Sequence, residues 1–69
     1  MDELSNSIAL LRAGRQISQT ELAEAIGVSR KTISTVETGR FTPSVVIALK
    51  LAQFFDVPVE QIFSLKAAE

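Results

Sequence analysis

Between Gln19 and Glu37 the chain spells two short amphipathic segments separated by a single glycine, Gly27. Ser18 precedes the first segment, and Glu21 follows at the spacing of an N-cap with a reciprocal capping carboxylate, so a helix is predicted to begin near Gln19. Leu22, Ala23 and Ile26 share one face of that helix while Glu21 and Glu24 fall on the other, the pattern of a half-buried element. Gly27 stops it, because glycine tolerates the left-handed conformation that ends many helices, and Val28 is placed to drop an apolar side chain back onto the pair. Ser29 caps a second helix whose Ile33 and Val36 point inward. Small Ala23 lets the two helices cross closely, so the second is held stiffly against the first.

With Ile33 and Val36 facing the core and roughly 100° per residue, Lys31 and Thr35 point directly away. Ser34 and Thr38 lie beside them and Arg30 on one flank. A polar helix face is ordinarily just a solvated one. This one is short, polar and basic, and it sits on the second helix of a tightly hinged pair. A helix lying in a major groove needs side chains of this kind, which can reach base edges and phosphates.

Several stretches together resemble the compact repressor-type helix-turn-helix proteins, the family of the phage Cro and CI repressors and the xenobiotic-response-element regulators. They are Ile8 to Arg12, Ile17-Ser18-Gln19, Glu21-Leu22-Ala23, Ile26-Gly27-Val28-Ser29, Thr32-Ile33-Ser34, Val36-Glu37, Gly39-Arg40, Thr42-Pro43-Ser44, Ala48-Leu49 and Val57 to Phe63. The resemblance covers nearly the whole chain and is specific in combination, although any single piece would recur by chance. It implies an all-α, five-helix, lambda-repressor-like domain over residues 1–69, with the helix-turn-helix at about 19–38 and helices 4 and 5 at about 44–63. It further implies a transcriptional regulator, a repressor in the first reading, that binds double-stranded DNA as a homodimer on an inverted-repeat operator. Carried over by position, Arg30, Lys31 and Thr35 look like base readers, with Ser34 beside them but too short to read much alone. Gln19, Thr32, Thr38 and Arg40 look like phosphate or helix-positioning contacts. The resemblance also implies that Glu37 pairs with Arg12 beneath the recognition helix; the alternative is two separate surface charges.

Composition narrows the function classes. A chain of 69 residues allows one small domain. With 46% apolar residues and no cysteine, the core must come from helix packing without disulfides, and thiolate metal sites are excluded. Histidine is also absent, which removes His-based metal binding and every nucleophile–histidine arrangement. An enzyme is disfavoured and no cofactor is expected. No apolar run approaches the roughly 20 residues of a membrane span. The acidic start Met1-Asp2-Glu3 is unlike a signal peptide, so a soluble, cytoplasmic protein is expected.

A formal net charge of −1 and a pI near 5.3 argue against affinity resting on phosphate neutralisation alone. The distribution matters more. From Gln19 to Glu24 there are two acids and no base, whereas from Arg30 to Lys50 there are four bases and only Glu37. If Glu37 is spent internally, a basic face remains. The low total predicts modest non-specific binding and a need for dimeric contacts. It also keeps open a protein-interaction module, such as an antitoxin, that uses the same fold to hold a partner protein.

Helix 1 is predicted from about Leu4 to Ala13, with Leu4, Ile8 and Leu11 inward, Asp2 or Ser5 as cap and Gly14 as terminator. Ile17 anchors the approach to helix 2. Gly39 closes helix 3 before the Arg40-Phe41-Thr42-Pro43 connection, and Ser44 restarts the helix. Helix 4, to about Phe55, carries Val45, Ala48, Leu49, Ala52 and Phe55 as the expected core stripe. Ile47, Leu51 and Phe54 form a second apolar stripe nearly opposite. A helix apolar all round needs cover all round, which a domain this small cannot supply alone. Asp56 ends it, Pro58 suits the first turn of helix 5, and Ile62 returns to the core. Phe63 and Leu65 extend the apolar surface, so a homodimer interface is expected at Ile47, Leu51, Phe54, Phe63 and Leu65. Ala67, Ala68 and Glu69 read as a fraying tail.

Overall fold

Five helices and one two-stranded ladder make up the computed structural model, which describes residues 3–66: β1 (Glu3–Asn6), α1 (Ile8–Arg15), α2 (Gln19–Ile26), α3 (Arg30–Glu37), α4 (Val45–Phe55), α5 (Val59–Ile62) and β2 (Phe63–Lys66). Three helices start the same way. Ser18, Ser29 and Ser44 take extended backbone conformations, and each side-chain oxygen accepts the amide proton three residues on, from Glu21, Thr32 and Ile47 respectively. Each serine thereby satisfies one amide that helix geometry leaves without an internal partner. At Ser18 the box closes, because Glu21 accepts from the Ser18 amide at 2.9 Å.

The turn between α2 and α3 follows from Gly27, whose φ of +76° lies in the left-handed region. That conformation lets the Gly27 and Val28 amides donate back to the Glu24 and Ala23 carbonyls, ending α2 and starting α3 three residues later. Leu22, Ala23 and Ile26 of α2 meet Ile33 and Val36 of α3 in the core. Ile8, Leu51, Phe55, Ile62 and Phe63 complete it.

The N-terminal expectation changes. Leu4 is not part of a helix but of β1, which runs antiparallel to β2 in the register Glu3↔Lys66, Leu4↔Leu65, Ser5↔Ser64 and Asn6↔Phe63. Leu4 is 38% exposed, and Ser5 bonds the Ser64 hydroxyl at 2.8 Å instead of capping α1. Asp2 and the tail Ala67 to Glu69 fall outside the described residues. Helix α1 passes through Gly14 and ends at Arg15, where Gln16 takes the left-handed turn at φ +57°. A four-residue pairing with strands from both ends of the sequence has no local signature beyond alternation, and the apolar spacing of Leu4, Ile8 and Leu11 fits a helix equally well.

In α4 the expected core stripe is only half right: Ala48, Ala52 and Phe55 face inward as expected, Val45 and Leu49 do not, and the second stripe turns inward as well. Leu51 is fully buried and Phe55 nearly so, with Ile47, Ala48, Ala52 and Phe54 packed against the core. Val45 and Leu49, expected inside, are 73% and 51% exposed. Leu51 therefore cannot serve as interface surface. Ile47 and Phe54 are engaged with the core, and Phe63, buried at the start of β2, is core as well; of the five expected interface residues only Leu65 stands exposed. The physical reason is that a helix apolar on every side carries no periodicity that selects a face. Docking against α2 and α5 decides, and the Arg15 guanidinium, 5.2 Å from the Phe54 ring and 5.4 Å from that of Phe55, covers that side from α1. Pro58 is the N-cap of the single-turn α5 rather than a residue inside it.

One polar network fixes α3 from beneath. Arg12 Nε lies 2.6 Å from Glu37 Oε2, and Arg12 also donates to Glu37 Oε1 at 3.1 Å and to the Ile17 carbonyl at 3.0 Å. Gln19 Nε2 donates to Glu37 Oε1 at 3.1 Å. Burial alone pushes the Glu37 carboxyl up, but the hydrogen bonds from Arg12 and Gln19 and the Arg12 charge outweigh it, so its pKa falls below the ordinary carboxylate value. The hydrogen bond to Glu37 raises Arg12 against the opposing effect of burial.

Because the folded state holds Glu37 ionised more firmly than the unfolded chain does, its contribution is present above the ordinary carboxylate pKa and is lost as pH falls through the lowered folded value. Glu37→Gln should destabilise the protein by about 2 kcal/mol at neutral pH, since Arg12 keeps a half-buried charge without its partner. The gap between variant and wild type should narrow in thermal melts as pH falls through and below the ordinary carboxylate range; a gap independent of pH would refute the assignment. Leu51→Ala should cost about 3 kcal/mol in denaturant titrations, the value for a buried leucine rather than a surface one.

Candidate nucleic-acid interface

The outer side of α3 is held by its inner side. Ile33 and Val36 anchor it in the core, the Ser29 cap fixes its first turn, and Glu37 ties its last residue to α1 and α2. With the helix fixed on three sides, Arg30 and Lys31 project exposed from its first turn, and Arg40 stands exposed just past its end. Ser34 and Thr35 are half-buried between them, and Thr38 is exposed. Arg12–Glu37 is the one ion pair among the described residues, so Arg30, Lys31 and Arg40 present three unneutralised cations on α3 and the loop just past it.

Hydrogen bonding inside α3 decides what its short side chains have left to offer. The Thr35 hydroxyl donates toward the Lys31 and Thr32 carbonyls at 2.9 and 3.1 Å, and that of Thr38 toward Ser34 and Thr35 at 3.0 and 3.3 Å. Each hydroxyl proton is committed to the helix, which leaves oxygen lone pairs and a methyl group for a ligand. Thr32 shares a 2.9 Å contact with the Ser29 hydroxyl. Gln19, expected at the surface as a phosphate contact, is half-buried and spends one amide hydrogen on Glu37, leaving the other and its carbonyl oxygen.

The structure gathers Lys31, Thr32, Thr35 and Arg40 with Ser29 and Phe41 around one open concavity. Arg30 and Ser34 are not part of its lining. Phe41 is half exposed there and was not foreseen as part of this surface. An aromatic residue isolated in a polar loop, two positions after Gly39, is the signal that would have found it. Its amide and that of Arg40 both donate to the Thr35 carbonyl, so the loop folds back over the end of α3. Among the described residues no cluster of three His, Cys, Asp or Glu side chains is placed to hold a metal ion, and no helix is long and apolar enough to cross a membrane.

Residues 8–62 match the family model described as helix-turn-helix. The chain is 42% identical over 60 residues to an uncharacterized HTH-type transcriptional regulator of Methanocaldococcus jannaschii, covering 87% of this chain and 91% of that one. It is 37% identical over 60 residues to the cryptic phage CTXphi transcriptional repressor RstR of Vibrio cholerae, covering 87% of this chain and 54% of that protein. Among solved structures, the restriction-modification controller protein C.AhdI of Aeromonas hydrophila superimposes with a TM-score of 0.72 at 34% identity, covering 77% of this chain and 80% of that one. The hinged α2–α3 pair, the fixed and basic outer face of α3 and these matches lead to one assignment: the chain belongs to the Cro/CI-type helix-turn-helix family of DNA-binding transcriptional regulators, which are not enzymes.

Proposed function

We propose that this regulator binds an inverted-repeat operator in double-stranded DNA as a homodimer and acts as a repressor, with α3 lying in the major groove. The observation that carries the reading is the set of three exposed, unpaired cations, Arg30 and Lys31 in the first turn of α3 and Arg40 just past its end, beside a helix whose opposite side is locked in the core. Arg30 and Lys31 at the start of α3 suit the O6 and N7 acceptors of guanine. Thr35, with its proton committed to the helix, suits a base that donates, or the methyl group of thymine. Arg40 and Thr38 at the far end suit phosphates, as do Thr32 and the remaining amide hydrogen of Gln19. The repressor sense rests on the likeness to RstR.

The surface that supports a dimer differs from the one the sequence suggested. Val45, Val46 and Leu49 are 73%, 61% and 51% exposed on α4. Leu49 continues into a concavity lined by Ala52, Gln53, Asp56, Val57 and Pro58 at the junction with α5. A contiguous apolar strip on a domain this small is costly in water and is relieved by a second copy meeting it across a two-fold axis. The two copies of α3 then enter successive major grooves about 34 Å apart.

Selection from a random duplex pool at physiological salt should enrich an inverted repeat with half-sites about ten base pairs apart, centre to centre. Lys31→Ala should cost about 1 to 3 kcal/mol and relax the preference at one base position. Equal weakening on all sequences would make Lys31 a phosphate contact, and no enrichment at all would move the assignment to a protein-interaction module. Leu49→Glu should leave the fold intact and shift sedimentation at micromolar concentration from dimer to monomer; an unchanged profile would remove this face from the interface.

A further inference from the structure

We infer that Asn6, on the N-terminal strand, is a positioning residue for the recognition helix. This inference rests on the DNA-binding reading of α3 given above. Asn6 is half-buried and uses both ends of its amide. Its Nδ2 donates to the Val36 and Glu37 carbonyls at 3.1 and 3.3 Å, and its Oδ1 accepts from the Ile8 amide at 3.1 Å. Both carbonyls belong to the last turn of α3; that of Val36 also accepts the Gly39 amide at 3.1 Å, whereas helix geometry leaves that of Glu37 short of an internal donor. The Ile8 amide is the first of α1, where donors are short. Ser7 has no side-chain cap bond to that helix, so Asn6 fills the role from one residue further out.

A single side chain thus joins the N-terminal end of α1 to the C-terminal end of α3, thirty residues apart in sequence. The ladder holds Asn6 in place. It pairs with Phe63, which is buried, and the Ser7 amide donates to the Ile62 carbonyl at 2.8 Å. The result is a second fixing point for α3, on the same last turn as Glu37 but reached through the backbone. Glu37 ties α3 to α1 and α2, whereas Asn6 ties it to the paired strands that bring the two ends of the chain together. The tilt of α3 sets how deeply Lys31 and Thr35 reach relative to Arg40. A loosened last turn should therefore degrade base reading more than general attraction to phosphates, which depends on charge and tolerates displacement.

The test uses the 69-residue chain and compares affinity for the selected operator with affinity for a scrambled duplex of equal length. Asn6→Asp keeps an acceptor for the Ile8 amide and removes the donors to α3. If Asn6 serves only as a cap for α1, this variant behaves as wild type. As a positioning residue, it should lower the specific-to-non-specific ratio about ten-fold, the equivalent of one hydrogen bond's free energy. Phe55→Leu, a core change on α4 that leaves every hydrogen bond to α3 in place, serves as the control for stability: it lowers the melting temperature and should leave the ratio unchanged. Asn6→Ser, too short to reach α3, repeats the test if the aspartate variant does not fold. A ratio equal to wild type in a folded Asn6 variant, or an equal fall in Phe55→Leu, overturns the inference. A wild-type protein that selects no duplex overturns the DNA-binding reading itself, and this inference with it.

Discussion

Glu37 is the residue on which the arrangement of the first three helices depends. Its carboxylate takes hydrogen bonds from Arg12 in α1 and Gln19 in α2 while its own backbone ends α3. Three helices of eight residues each are too short to be stable alone and gain their order from packing and shared contacts. The pair is mostly shielded, with side-chain exposures of 19% for Arg12 and 8% for Glu37. A pair so placed contributes more through direction than through net energy, since its desolvation cost offsets much of its attraction. What it specifies is the rotation of α3 about its own axis. The same contact removes the only acid between Arg30 and Lys50 from the electrostatics of the outer face.

That removal reconciles a slightly acidic chain with an affinity for DNA. Net charge is a sum over the whole surface, but a duplex meets only one side of the molecule. Glu21 is engaged in the α2 capping box, and Glu37 is engaged beneath α3. Arg30, Lys31 and Arg40 remain on the outer side of the motif. A small count of exposed cations on that side implies weak attraction to arbitrary DNA, and in the proposed dimer, discrimination between sequences comes from base contacts and from the second copy of α3.

The α2–α3 hinge, three serine caps and the core residues of both helices were legible in the sequence because each is a local pattern. Ser18 with Glu21, Gly27 with Val28, and Ile33 with Val36 are chemistry at fixed short spacing, and the structure places them as that chemistry requires. The three cations were legible for the same reason, once one side of α3 was known to be inside. Asn6 was not, and Phe41 was marked only as an isolated aromatic in a polar loop, with nothing to say which surface it joins. Their roles come from neighbours distant in sequence or from a loop with no period, and a single asparagine before a helix carries no mark of the helix it will also join.

By itself the sequence determined the helix-turn-helix, its caps, its turn and the polar, basic character of one side of α3, because i to i+4 periodicity and capping are set by residues adjacent along the chain. Only the tertiary structure decided which side of α4 is buried, since Val45, Leu49, Ile47 and Leu51 are interchangeable by hydrophobicity and docking alone put Leu51 inside and Leu49 outside. It likewise decided that residues 3–6 form a strand. Their partner is the segment Phe63–Lys66 at the opposite end of the chain, and a pairing of that range is stabilised only after the helices between have folded and brought the two ends together.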